Sequence, residues 1–316
     1  MSTASLVPET YGLSGDDAKR TLEETGRRRL LADSFKRLRT ADGFSHARSM
    51  VFAGALVFVQ ATIAVVGLAS LLQKGGLSAT LVRALKSAAP GPAGTVLTQA
   101  VEQAHKAGHG QSLALIIGLV GALISGTTLM GQLERGLNRL YGIETDRPTV
   151  QKYGRALVLA ITAGLLGAVG FGVMAFGDSL ASGTAATVWN VARWPLGFVL
   201  LTASIALLFR WSPNRHQPAW SWLAYGGAIA VALATISTVI LAAFFGWSHS
   251  FGQTYGPLAG MVALLIWLML VSVSVLLGAA IAAQLEAVRA GKPQPQDTSK
   301  VTTPTSVDGD RAAAVA

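Results

Sequence analysis

Long apolar stretches alternate with short polar ones along this chain, and six of the stretches approach or exceed the length of a membrane crossing. By apolar length, the spans are placed at about Met50 to Leu72, Ser112 to Leu133, Ala156 to Leu180, Val191 to Phe209, Ala219 to Phe245 and Pro257 to Leu285. The most explicit run, Tyr255 to Glu286, meets no charged side chain before its last residue. It exceeds the ~20 helical residues that cover ~30 Å of hydrocarbon. The pattern predicts an all-α polytopic membrane protein with six transmembrane helices.

The flanking segments read differently. Residues 1–49 are polar and basic, so no cleavable signal is expected and the first span stays as a helix. Within them Leu31, Phe35 and Leu38 fall at helical spacing, with Arg27, Arg28, Lys36, Arg37 and Arg39 largely around them. That is the pattern of a basic amphipathic helix, lying on a leaflet or packed on another cytoplasmic segment. The loop 73–111 carries two weakly amphipathic stretches about Pro90-Gly91-Pro92, expected to form an external helical hairpin. From 290 to 316 large apolar residues almost vanish, and a disordered cytoplasmic tail is expected. The transmembrane domain is thus residues 50–289.

Composition narrows the class. Hydrophobic residues make up 51% and charged residues 13% of the chain, about half the ~25% charge of a soluble domain. The net charge of +9 would suit nucleic acid, but its distribution follows membrane orientation instead. Of the 25 Lys and Arg residues, 20 fall on the side of the termini and 5 on the other. Both termini are therefore expected in the cytoplasm, with no nucleic-acid partner.

The second span runs on into LERGLNRLYGIETDRP, Leu133 to Pro148. Leu133, Leu137, Leu140 and Tyr141 share one face; Glu134, Arg135, Asn138 and Arg139 share the other. Such a stripe at an interface suits an anionic headgroup, because a guanidinium fork matches phosphate. Equally, its residues pair internally and fix the adjoining helices.

The segment LERGLNRLYGI resembles the cytoplasmic motif of the YihY/virulence factor BrkB family of bacterial inner-membrane proteins. The last run resembles that family's closing span, with Tyr255, Gly256, Trp267, Gly278 and Glu286 in the expected order. ADGFSHARSMVFAGALVFVQATIAVVGL is similar to the family's entry into its first span, so the resemblance covers roughly residues 30–289. Phe58, Val59 and Gln60 depart from the aromatic pair common there, and the closer likeness is to the YhjD-like branch. That resemblance implies an inner-membrane protein moving a lipid or glycolipid precursor. The wider family also carries an old label of ribonuclease BN.

The residues argue against hydrolysis. A ribonuclease needs a metal cluster or a histidine pair. Of the five His, only His105 and His109 share a face, and Gly108 and Gly110 weaken their helix. With no cysteine, no phosphate-cradling GxxxxGK[ST] and nearly every charge at a span end, neither catalytic residue, metal nor cofactor is expected. Small residues in spans two and three, among them Gly118, Gly126, Ala163, Gly164 and Gly167, suit close helix packing. Trp267 falls near the midplane, where its ring fills a core position or lines a cavity.

The expectation is a membrane protein that moves or holds an anionic lipid or glycolipid. Glu134, Arg135, Asn138, Arg139, Arg147 and Glu286 form a polar mouth, and Tyr255 and Trp267 lie along the path. The alternative is a non-transporting scaffold whose stripe recruits a protein; ribonuclease is the third reading.

Overall fold

The computed structural model describes residues 4–71, 111–175, 184–247 and 257–296. Two short helices precede six long ones: α1 (Gly15–Thr25), α2 (Arg27–Thr40), α3 (Gly43–Leu71), α4 (Gln111–Tyr141), α5 (Thr149–Ala175), α6 (Thr184–Trp211), α7 (Trp220–Trp247) and α8 (Pro257–Arg289). No strand occurs among the described residues. The last six are each long and apolar enough to cross a membrane. Tyr255, residues 73–110 of the expected external loop with His105 and His109, and the tail beyond residue 296 lie outside the described residues.

The helices outrun the apolar stretches that foretold them. α3 starts at Gly43 rather than near Met50, α5 at Thr149 rather than Ala156, and α8 ends at Arg289. Apolar length locates hydrocarbon, whereas helical hydrogen bonding continues wherever the projecting turn finds protein to pack on. α6 likewise begins at Thr184 rather than Val191, and Pro195 sits inside the helix. In a membrane helix the lost backbone bond is tolerated when neighbours re-satisfy the freed groups.

Each long helix packs on the next in sequence, and α8 closes the ring on α3 while also touching α4. Half of the apolar window of α8 is buried, against 17–22% for the other spans, so α8 is the staff on which the ring leans. Two seams are tight enough to require glycine. A Cβ on Gly118 would come within 2.5 Å of the Ala64 nitrogen in α3, and one on Gly278 within 2.7 Å of the Gly226 carbonyl oxygen in α7. The small residues of α5 divide: Ser204 donates to the Ala163 carbonyl at 2.8 Å across the α5–α6 seam, but Gly164 faces open space.

At the end of the bundle where the described chain begins, at residue 4, and ends, at residue 296, the amino-terminal segment packs on protein. α1 is closed by a reciprocal cap between Ser14 and Asp17 and lies against α7, and α2 lies against α8. The buried face of α2 is Leu30, Ser34, Arg37 and Leu38, whereas Leu31 and Phe35 are about half exposed. The expected Leu31, Phe35 and Leu38 stripe is therefore split. Arg37, expected beside the apolar face, is fully buried. Residues 290–296, expected to start a disordered tail, lie against the amino terminus: Ser5 N–H donates to the Pro295 carbonyl at 2.9 Å.

Candidate functional site

The polar stripe of α4 sits where the strap of residues 4–13, the 142–148 connector, the 212–219 loop and the end of α8 meet. α4 remains helical to Tyr141 because Leu133, Leu137 and Leu140 give its emerging turns a buried face. Its opposite face carries Glu134, which is 2% exposed, and Asn138, which is fully buried. Polar groups buried so deeply require partners.

Those partners are supplied from the other segments. Arg147 reaches back to Glu134 at 3.1 Å and donates to the Ser212 and Pro213 carbonyls, each at 2.6 Å. Burial pushes the Arg147 guanidinium down from its usual value, and the Glu134 charge opposes this. Asn138 donates to Asp146 at 3.2 Å and accepts from the Asn214 N–H at 2.8 Å, so one amide stitches α4 to both loops. Asp146 also takes Lys152 at 2.9 Å and Arg135 at 3.5 Å. Burial alone would raise its carboxyl, but the Lys152 and Asn138 hydrogen bonds and the Lys152 and Arg139 charges hold it below the ordinary range. Arg139 turns to the Ile143 and Glu144 carbonyls at 3.0 and 2.8 Å and closes the turn after α4.

Glu286 is expected beside the Arg139 stripe, but its direct partner is Arg215 at 2.7 Å. The same oxygen accepts the Thr10 hydroxyl at 2.7 Å. Arg215 also donates to the Pro8 carbonyl and stacks 4.6 Å over the Tyr141 ring, tying the strap, α8, the 212–219 loop and α4 together. Beside it Arg37 donates to Gln284 at 2.8 Å and to the Ser5 and Leu140 carbonyls at 3.0 Å each. Burial pushes this guanidinium down to about 10, so it stays charged at neutral pH.

The structure thus brings Glu134, Arg135, Asn138, Arg139, Arg147 and Glu286 to one end, as expected, but uses them largely as fasteners. Trp267 is not among them. It lies about 28 Å from Glu286 along α8 at ~1.5 Å per residue, 8% exposed. There its indole donates to Thr238 at 3.0 Å and meets the Phe58 ring edge-on at 6.1 Å, so it fills a core position between α3, α7 and α8. Sequence reasoning missed Arg215, Arg37, Gln284, Thr10, Asp146 and Lys152. Only the acid and base of the last two fell near the motif; the others are distant in sequence, with no spacing to announce them. Among the described residues no group of three or more His, Asp or Glu is placed to hold a metal.

Six apolar helices around a buried, ion-paired end define a multi-pass helical membrane protein. Residues 34–302 match the pattern of the virulence factor BrkB family, and the chain belongs to that family. It is similar to a UPF0761 membrane protein of Verminephrobacter eiseniae, 31% identical over 188 residues that cover 55% of this chain and 43% of the relative. It is also similar to UPF0761 membrane protein Mpe_A1422 of Methylibium petroleiphilum, 30% identical over 59% of this chain and 44% of the relative. The putative ribonuclease-like protein YfkH of Bacillus subtilis is 26% identical over 54% of this chain and 65% of its own length. The match spans less than half the length of the first two relatives. No solved structure matches the chain.

Proposed function

We propose that this protein is a translocator of an anionic lipid or glycolipid precursor in a bacterial plasma membrane, with the end that carries the termini in the cytoplasm. One observation carries the reading: α6 bears an arginine without a carboxylate partner, among the described residues, toward each of its ends. Arg193 lies inside the candidate span Thr187–Trp211, with its Nε buried and without a hydrogen bond and its guanidinium 5.5 Å over the Trp194 ring. Arg210 donates to the Gln217 carbonyl at 2.7 Å and to that of Pro218, and lies 5.7 Å over the Trp220 ring. The two positions are roughly 25 Å apart along the axis. A cation within a span is expensive and points to a functional partner. An anionic headgroup crossing beside α6 meets one guanidinium on each side.

The paired residues of the α4 stripe then serve as the fixed base of the path rather than as contacts to the substrate. The scaffold reading is weaker, because a stripe closed on itself offers little to a protein partner. The ribonuclease reading has behind it the name of one relative and the old family label.

Proteoliposomes carrying a fluorescent phosphatidylglycerol test the proposal through the rate at which an impermeant reductant reaches inner-leaflet probe. At least tenfold acceleration over protein-free vesicles is expected; equal rates overturn it.

A further inference from the structure

At the termini-bearing end, outside the fastened stripe, lies a cavity of about 400 Å³ between the start of α5, the end of α6 and the 212–219 loop. That volume falls in the range of small-ligand sites. Arg147, Arg155, Arg210 and Arg215 line it, His216 and Gln217 join them, and no Asp or Glu does. We propose that this cavity binds a phosphate group, carried either by a lipid headgroup or by a free phosphate.

The four arginines divide by task. Arg147 and Arg210 spend donors on the carbonyls of Ser212, Pro213, Gln217 and Pro218, and thereby hold the loop that forms the wall. Arg155 is exposed and has neither an ion pair nor a hydrogen bond among the described residues. Arg215 has its side chain 3% exposed; two of its nitrogens are engaged, and Nη1 is buried without a partner. The buried Gln217 amide, beside the Tyr141 hydroxyl, makes no hydrogen bond of ordinary geometry either. A buried donor left unmade costs free energy that a ligand acceptor returns. Arg147 and Arg215 each keep a carboxylate behind the wall, Glu134 and Glu286, but Arg155 and Arg210 have none among the described residues and the lining itself carries no acid. Guanidinium forks with spare N–H groups select a compact multivalent oxyanion over a neutral molecule.

The surroundings also suit a ligand with a tail. Trp211 is half exposed where α6 ends, and Val158, half exposed, lines the cavity one turn from Arg155 on the membrane side of α5. An interfacial indole beside an apolar flank lets a headgroup enter while its chains stay in hydrocarbon. The lipid source rests on the translocation reading; the phosphate site does not.

The test is equilibrium binding to the detergent-purified full chain, with a fluorescent short-chain phosphatidic acid as probe and inorganic phosphate as competitor. Short-chain phosphatidylcholine is the zwitterionic control. The wild type is expected to bind phosphatidic acid at least tenfold more tightly than Arg155→Glu does, with unchanged thermal midpoint, since Arg155 holds nothing in the fold. Gln217→Leu, which keeps the bulk of the side chain, is expected to weaken binding severalfold. Phosphatidic acid bound at least tenfold more tightly than inorganic phosphate assigns the site to a lipid headgroup; comparable affinities that compete assign it to free phosphate. Equal binding by wild type and Arg155→Glu, or equal affinity for phosphatidylcholine, overturns the site. Because binding is read without transport, an inactive scrambling assay leaves this result standing, and loss of binding with intact scrambling refutes the site alone.

Discussion

Arg215 and Glu286, 71 residues apart in the chain, meet at 2.7 Å with side chains 3% and 0% exposed, and the Thr10 hydroxyl shares the same carboxylate oxygen. One buried ion pair therefore joins a loop between spans, the last span and the amino-terminal strap. Removing one partner leaves an uncompensated charge, which costs about 3–5 kcal/mol, whereas replacing both with apolar groups is often neutral. Glu286→Ala is expected to lower the thermal midpoint of the detergent-solubilised protein markedly, and Arg215→Met with Glu286→Leu to restore most of it. Equal midpoints for Glu286→Ala and the wild type would show that the pair does not clasp these segments.

The Asp146 junction gives a pH signature. Its carboxyl is held below the ordinary aspartate value, so the native state favours the charged form. The resulting stability is fully present above the unfolded-state value of about 4 and is lost as pH falls through the depressed native value. Thermal midpoints of the wild type and Asp146→Asn are expected to differ by a constant amount above about pH 5 and to converge in acid. A gap that widens on acidification contradicts the assignment.

Orientation is testable because the chain has no cysteine. Asp16→Cys, at the start of α1, and Ser112→Cys, at the start of α4, lie at opposite ends of the bundle. In intact cells a membrane-impermeant maleimide is expected to label residue 112 and to reach residue 16 only after permeabilisation. The reverse pattern would invert the topology.

What the sequence revealed follows from the range of the forces involved. Six spans are legible because hydrocarbon demands long, uncharged, self-satisfied helices, and such runs are local. The cluster at the end of α4 is legible as a stripe because helical spacing is local too. Its partners are not: Arg37 bonds Gln284 across 247 residues, and nothing near Arg37 distinguishes it from the neighbouring Lys36 and Arg39. The expected helix is present, but Leu38 is parted from Leu31 and Phe35 for a related reason. The face of α2 that is buried, Leu30, Ser34, Arg37 and Leu38, is chosen by the helix it meets, α8, and takes in polar as well as apolar positions. Trp267 was expected either to fill a core position or to line a cavity, and the sequence could not choose between them because its Thr238 partner on α7 was one hydroxyl among several.

We propose that an anionic headgroup moves beside α6 between Arg193 and Arg210. The most direct measurement is the headgroup dependence of scrambling in proteoliposomes, wild type against Arg193→Gln, with fluorescent phosphatidylglycerol and phosphatidylcholine compared in parallel. Arg193→Gln is expected to slow phosphatidylglycerol at least tenfold while the protein remains folded, and to abolish any preference over phosphatidylcholine. Unchanged phosphatidylglycerol rates in Arg193→Gln would contradict it.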